Sequence, residues 1–177
     1  MRPSPVRRAG GRLPDVPNGT SFNVPIRRAV LSLNGGPTDQ LVIECGCKLA
    51  RADEAELMAV YVVEVDWSHD LDDDLEDQRE EASRALDLAE GLAEKERVPL
   101  ESQLLQARDV GAALVDEAVA VEADAIVMGL PYKVRFGGDF ALGQTIPYVF
   151  KNAPCRVIVV REPVADSEQR DENMKRV

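Results

Sequence analysis

The chain has 177 residues, of which 45% are hydrophobic, so it is long enough for one folded domain with a substantial core. Its 32 acidic and 21 basic side chains give a formal net charge of -11, which argues against a protein that holds nucleic acid through its phosphates. No apolar run approaches the roughly 20 residues of a membrane span, and no signal peptide is expected. Three cysteines provide no disulfide framework and are typical of a reducing compartment, so we expect a cytoplasmic protein.

Both ends of the chain are predicted to lie outside the folded domain. Residues 1–25 contain five prolines and three glycines, and they have too few large apolar side chains to offset the entropy lost on ordering. Residues 1–28 also carry six arginines against one acid, Asp15. We therefore expect a disordered arm over 1–25, a folded domain over 26–162 and a disordered tail over 163–177.

The first half of the predicted domain begins with a short apolar strand over 29–33, which ends at the turn 34–37. Thr38 or Asp39 can cap the following helix. The apolar face of this helix is formed by Val42, Cys45, Gly46 and Leu49. A nearly continuous apolar run over 57–65 is typical of a strand covered on both faces. It leads into nine acids within residues 66–81 and then into a long helix that ends near Arg97.

The second half continues the alternation of strands and helices. An alternating strand over 99–106 precedes a helix marked by Gly111, Leu114, Val115 and Ala118. A buried strand over 125–128 is predicted to stop at Gly129, and a short helix ending at Asn152 leads to the last strand, 157–160. Pro147 falls in the first turn of that helix, where its missing N–H needs no partner.

Alternating strands and helices predict an α/β fold, an open parallel sheet with helices on both faces. Ligands of such sheets bind beyond the carboxyl ends of the strands, at the point where the strand order reverses. The loops 34–38, 64–75 and 129–144 are therefore the candidate ligand-binding segments.

Three segments of the chain resemble a known family. Residues 123–129 read Ala-Asp-Ala-Ile-Val-Met-Gly, a loop with Gly137, Gly138 and Gly143 follows, and residues 152–160 read Asn-Ala-Pro-Cys-Arg-Val-Ile-Val-Val. These segments are similar to the universal stress protein family, and residues 27–36 resemble its first strand and turn. The resemblance implies a Rossmann-like sheet of five parallel strands in the order 3-2-1-4-5. It also implies a homodimer formed through the last strand, by Val157, Ile158, Val159 and Val160.

One branch of this family binds ATP through the motif Gly-x2-Gly-x9-Gly-(Ser/Thr), in which glycines let the backbone approach the phosphates. Gly129 matches the first glycine, whereas Tyr132 stands at the second, and Gly143 matches the third after one extra residue. The resemblance implies that ATP or another adenine nucleotide lies between the first and fourth strand loops. The residues implied are Asn34, Gly35, Gly36 and Val62 for the adenosine side, Met128 at the end of the fourth strand, and Gly129, Lys133, Arg135, Gly143, Gln144 and Thr145 for the phosphates.

Three functions follow from these features. The first is a regulatory domain that binds a nucleotide, with Lys133 and Arg135 supplying positive charge to the phosphates. The second is an interaction module without a nucleotide, in which Tyr132 and Phe136 fill the cleft and an unknown protein is the partner. The third is an ATP-hydrolysing enzyme, because residues 34–39 faintly resemble the pyrophosphate loop of ATP pyrophosphatases. No acid–base pair or nucleophile triad is recognisable, so we expect no catalytic residues.

Two other clusters could suggest a metal site. Asp70, Asp72, Asp74 and Glu81 match positions 1, 3, 5 and 12 of a calcium loop. The sixth position, which needs glycine for its sharp turn, is Leu75, so we expect no calcium site. Cys45 and Cys47 should point to different faces of one helix, with Cys45 in the core. His69 is expected on the surface.

Overall fold

The computed structural model describes residues 25–67, 76–130 and 143–161. Except for Pro25, the predicted disordered arm and the predicted tail lie outside these residues, and so do Tyr132, Lys133, Arg135 and Phe136. The acids at positions 70–74 of the candidate calcium loop also lie outside them. Within the described residues, no helix is long and apolar enough to cross a membrane.

Strands and helices alternate along the described chain, as predicted. The elements are β1 (Arg28–Leu33), α1 (Asp39–Asp53), β2 (Glu56–Glu64), α2 (Glu76–Glu96), β3 (Leu100–Ala107), α3 (Val110–Ala120), β4 (Ala125–Leu130), α4 (Thr145–Asn152) and β5 (Arg156–Arg161).

The five strands form one parallel sheet in the order β3-β2-β1-β4-β5, which confirms the predicted topology. The pairing of β1 with β2 ends at Leu33 opposite Tyr61, and the pairing of β1 with β4 ends at Ser32 opposite Met128. The chain moves outward from β1 to β2 and β3 and then crosses back to β4. The strand order therefore reverses between β1 and β4, and their carboxyl ends form the edge where a ligand is expected.

The helices cover the two faces of the sheet in pairs. Successive residues of a strand point to opposite faces, so Leu31 packs in the cluster under α1 and α2, whereas Val30 packs in the cluster under α3 and α4. All four predicted positions of α2, Ala82, Leu86, Ala89 and Ala93, and all four of α3 are buried. Burial of each large apolar side chain contributes about 1.5–3 kcal/mol, which holds both helix layers against the central strands.

Two predictions about the elements are wrong in detail. Gly129 does not stop β4, because Gly129 pairs with Val160 and the strand continues to Leu130. On α1, Cys47 is fully buried while Cys45 is only half-buried. The buried stripe of α1 is rotated from the predicted one toward Ile43, Cys47 and Ala50, because this helix packs against α2 as well as against β1 and β4. It runs through Val42, Ile43, Gly46, Cys47 and Ala50.

Candidate functional site

The turn after β1 is closed by hydrogen bonds within the chain. Gly35 has φ +74°, a left-handed backbone that favours glycine, and the Asn34 Oδ1 accepts a hydrogen bond of 2.9 Å from the Gly36 N–H. The Asp39 carboxylate accepts hydrogen bonds from the Gly35 N–H at 2.8 Å and from the Asn34 N–H at 3.2 Å. Thr38 is the N-cap residue of α1 but makes no side-chain capping bond. The Asp39 side chain therefore stabilises the turn. Neither Thr38 nor Asp39, the two predicted capping residues, caps the helix with its side chain.

Asp39 is a buried carboxylate in an acidic setting. Its side chain is 3% exposed, and this burial raises its pKa, while the two backbone hydrogen bonds lower it and Glu81 raises it further. Burial, with Glu81 and Asp39, also raises the pKa of Tyr61, whose hydroxyl lies 3.4 Å from the Asn34 carbonyl oxygen. A cavity of about 330 Å³ adjoins this group. It is lined by Gly35, Gly36, Asp39, Glu81, Arg84, Ala85 and Leu88.

The raised pKa of Asp39 predicts a pH dependence of stability. Because the folded-state pKa exceeds the unfolded value, the folded state takes up the proton first as the pH falls. Asp39 therefore adds stability as the pH falls through its folded pKa, and this gain is absent at higher pH. Asp39→Asn cannot titrate, so the free energy of unfolding of the wild type should rise relative to that of the variant as the pH falls from neutral toward the usual aspartate pKa of about 3.9. Urea unfolding of both proteins across this pH range measures the change. A difference in unfolding free energy that stays constant with pH would contradict the prediction.

The end of β4 touches the start of α1 at Gly129. The Thr38 side chain is fully buried, and a Cβ atom added to Gly129 would lie 2.2 Å from the Thr38 Oγ1 and 2.8 Å from the Thr38 Cβ. Only glycine allows this approach without movement. Among the described residues, the Thr38 Oγ1 has no hydrogen-bond partner.

The start of α4 differs from the starts of the other helices. Its N-cap residue, Gln144, makes no side-chain capping bond, its first turn holds no acid, and Gly143 before it has φ +66°. In contrast, α1 and α2 carry acids in their first turns, and Asp109 caps α3 through a 2.8 Å bond to the Ala112 N–H. Pro147 is the third residue of α4, in the predicted first turn. Among the described residues, the N-terminus of α4 therefore presents backbone N–H donors and a positive dipole end with no acid in its own first turn.

The fold gathers the described site residues at one edge of the sheet. The turn 34–36 and the pair Met128 and Gly129 lie at the carboxyl ends of β1 and β4, and Ile146 in the first turn of α4 packs in the same cluster as Met128. Val62 is the first residue of β2 beyond the pairing with β1. Its side chain is buried in the core, so only its backbone could meet a ligand. The candidate residues Lys133 and Arg135 lie outside the described part of the chain.

Sequence reasoning missed the roles of three residues around the turn. Asp39 was considered as a helix cap and as part of the loop 34–39, and Glu81 as the last position of a calcium loop that was not expected to bind calcium. Both instead line the cavity beside Gly35, together with Arg84. The sequence did contain one indication of this role of Asp39, because it is an acid five residues after Asn34, which directly follows β1. Within the described ranges, no three His, Cys, Asp or Glu side chains are grouped as metal ligands.

Comparison with known proteins identifies the family. The model of the universal stress protein family matches residues 25–161. The chain belongs to the universal stress protein family. A curated universal stress protein of Methanocaldococcus jannaschii is 28% identical over 145 residues, which cover 77% of this chain and 83% of that relative.

Solved structures of universal stress proteins share the fold. One from Archaeoglobus fulgidus in complex with dAMP has a TM-score of 0.58 and 22% identity, over 75% of this chain and 96% of that chain. A family protein from Arabidopsis thaliana with AMP bound has a TM-score of 0.55 and 15% identity, over 78% of this chain and 93% of that chain. At these identities the likeness establishes the Rossmann-like fold, which confirms the predicted fold class.

Proposed function

We propose that this universal stress protein binds an adenine nucleotide at the carboxyl ends of β1 and β4 and acts as a cytoplasmic regulatory domain. The observation that carries the proposal is the start of α4, where, within the part of the chain that the structure describes, the N-cap residue makes no side-chain capping bond and the first turn holds no acid. Such a helix start attracts a phosphate group. It stands beside the strand-order reversal, the usual ligand position in this class of sheet.

The proposed ligand is held from both sides of the reversal. Its phosphate would accept hydrogen bonds from the N–H groups of Thr145 and Ile146, with Gly143 and Gln144 beside it. Its adenosine would lie against the turn at Asn34, whose side-chain amide is a donor for a ring nitrogen or ribose hydroxyl. Lys133 and Arg135 are proposed to add positive charge near the phosphate.

Two observations support a nucleotide as the ligand. The cavity lined by Asp39 and Glu81 at the β1 turn has no described lining residue from α4, so the proposed phosphate position does not belong to that acidic cavity. The missing Cβ of Gly129 is taken up by its contact with Thr38, and the proposal does not use it. The relatives crystallised with dAMP and AMP hold adenine nucleotides with one phosphate, which supports an adenine nucleotide as the ligand here.

Isothermal titration calorimetry of the full chain with AMP, ADP and ATP at millimolar concentration tests the proposal. We expect a saturable heat with at least one of them and none with a pyrimidine nucleotide at the same concentration. Mass spectrometry of small molecules released from the purified protein provides a second test. No heat with any adenine nucleotide, together with no co-purifying nucleotide, would contradict nucleotide binding.

A second candidate is an interaction module that needs no nucleotide. The observation favouring it is that the Asp39 carboxylate already accepts hydrogen bonds from the N–H groups of Asn34 and Gly35. These donors of the turn therefore need no ligand. We propose a binding role and not a catalytic one in either case. Phosphate release from ATP that exceeds release by the Lys133→Ala variant would instead support an ATP-hydrolysing enzyme.

We also propose that two copies pair through β5. This strand lies at the edge of the described sheet, and all four of its valine and isoleucine side chains are only half-buried; an apolar edge strand needs cover. Light scattering should give a dimer mass for the wild type and a monomer mass for Val159→Lys, because a charge on an edge strand opposes pairing. Val119→Lys, at an exposed position of α3, should remain a dimer. A monomeric wild type would overturn this proposal.

A further inference from the structure

A second cavity lies at the opposite, amino edge of the sheet. It has a volume of about 370 Å³ and lies among the amino ends of β1, β2 and β3 and the carboxyl end of α3. We call it the amino-edge cavity. Its apolar floor includes Leu57, Met58, Leu100 and Val121, and its charged lining residues are Arg28, Glu56 and Glu101.

The single arginine of this cavity is fully engaged by its neighbours. The Arg28 guanidinium binds the Glu56 Oε2 at 2.8 Å through Nη2 and at 3.2 Å through Nε. Its Nη1 donates a 2.6 Å bond to the Val121 carbonyl at the end of α3. The charge of Glu56 is thereby neutralised by Arg28. The guanidinium also donates to a carbonyl group that has no hydrogen-bond partner within the helix.

Two further carboxylates give the amino-edge cavity an acidic rim. Glu101 lines the cavity, and Glu122 directly follows Val121, which also lines it. Both glutamates are exposed, and both raise the pKa of Arg28. Within the described residues neither forms a salt bridge. An apolar floor with an unbalanced acidic rim suits a side chain that is aliphatic along its stem and cationic at its tip.

The chain enters the fold beside this cavity. The Ile26 N–H donates to Asp53 at 2.8 Å and the Arg27 N–H donates to Asp124 at 2.7 Å, so the entering backbone is held at the amino edge. Pro25 is three residues from Arg28, a distance of at most about 11 Å. Residues 1–24 carry four arginines, at positions 2, 7, 8 and 12, against the single acid Asp15. The charge of this segment complements the acidic rim, and its length allows it to return to the cavity.

We propose that the arginine-bearing segment 2–12 of the same chain docks in the amino-edge cavity. An arginine stem covers Met58 and Leu100, and its guanidinium contacts Glu101 and Glu122 through charge-assisted hydrogen bonds. The cavity is thus a binding site for a basic, partly apolar peptide segment, which the chain supplies itself. This site is separate from the nucleotide site, so its test does not depend on the outcome there.

Trypsin cleavage of the full chain at low salt measures the docking directly. The bonds after Arg7, Arg8 and Arg12 are trypsin sites, and a docked segment is cut slowly. We expect cleavage there to become about threefold to tenfold faster in the Glu101→Gln/Glu122→Gln variant, the change expected from the loss of two exposed ion pairs. Salt at about 0.5 M should speed cleavage of the wild type to a similar degree, because it screens exposed charges.

The matched control removes two exposed acids from another face. Asp87→Asn/Glu94→Gln changes the net charge equally on α2 and should leave the cleavage rate unchanged. Equal cleavage rates in the wild type and the cavity variant, or an equal increase in the control, would overturn the proposal. A cleavage rate that depends on protein concentration would assign the segment to a second copy and would also overturn it.

Nuclear magnetic resonance gives an independent measurement. Replacing Arg7, Arg8 and Arg12 by serine should shift the amide signals of Glu101, Val121 and Glu122 and leave those of Gly35 and Gly129 unchanged. In the Glu101→Gln/Glu122→Gln background the same replacements should shift nothing further. Unchanged signals around the amino-edge cavity in the wild-type background would contradict docking.

Discussion

Gly129→Ala should destabilise the folded domain by about 1–3 kcal/mol, the range for an added methyl group in a close-packed site. The new Cβ would lie 2.2 Å from the Thr38 Oγ1 and 2.8 Å from the Thr38 Cβ. Neither atom is the end of a long flexible side chain, because Thr38 is buried at the start of α1 and its χ1 is restricted by branching at Cβ. The clash must therefore move β4 relative to α1. Urea unfolding of the two proteins measures the loss.

Two further variants separate this clash from a general effect of alanine. Thr38→Gly removes both clashing atoms and leaves an acceptable N-cap residue, so Gly129→Ala/Thr38→Gly should recover most of the lost stability. Gly91→Ala, in the middle of α2 with open space around its Cβ position, should stabilise the protein by about 0.5–1 kcal/mol. A Gly129→Ala variant as stable as the wild type would contradict the close contact between Gly129 of β4 and Thr38 at the start of α1.

Gln144→Asp should weaken nucleotide binding by at least about tenfold, because a carboxylate at the start of α4 repels a phosphate bound there. Aspartate is also a favoured N-cap residue, and its side chain would accept the Ile146 N–H, since Pro147 has none to donate. The variant should therefore fold at least as stably as the wild type. Calorimetric titration with the nucleotide that the wild type binds measures the change in affinity.

Gln144→Asn is the matched control for charge. Asparagine caps a helix about as well as aspartate but carries no charge, so binding should stay within about threefold of the wild type. Equal losses of affinity in the two variants would show that the side chain acts through shape or capping. Unchanged affinity in both variants would contradict the proposal that the phosphate binds at the start of α4.

The fold was largely predictable because its strands and helices have distinct hydrophobic patterns. The continuous apolar run over 57–65 and the spacing of Ala82, Leu86, Ala89 and Ala93 each define one element without tertiary information. Which of two neighbouring residues is buried was less predictable. Cys47 and not Cys45 lies in the core, because the orientation of α1 depends on the combined packing of β1, β4 and α2, which no local pattern contains.

At the candidate site, the sequence indicated glycines with a particular backbone role. Gly35 was named from the turn after the first strand, and Gly129 and Gly143 from the glycine motif of the family that the chain resembles; Gly35 and Gly143 have left-handed φ values of +74° and +66°. The environment of Asp39 was not identified. Its burial depends on where Glu81 and Arg84 of α2 come to lie, and those residues are more than 40 positions further along the chain. Continuation of β4 through Gly129 was likewise missed, because it depends on pairing with β5.

The Asp39 carboxylate has a thermodynamic consequence for the proposed ligand. It satisfies the turn amides of Asn34 and Gly35 from within the chain, so the empty domain is already a complete folded unit. A nucleotide then stabilises the protein only by mass action, by about 1.4 kcal/mol for each tenfold rise in concentration above its dissociation constant. Because the empty domain already folds, a change in nucleotide concentration alters mainly the fractional occupancy of the proposed site, and this occupancy is the quantity that a partner would sense.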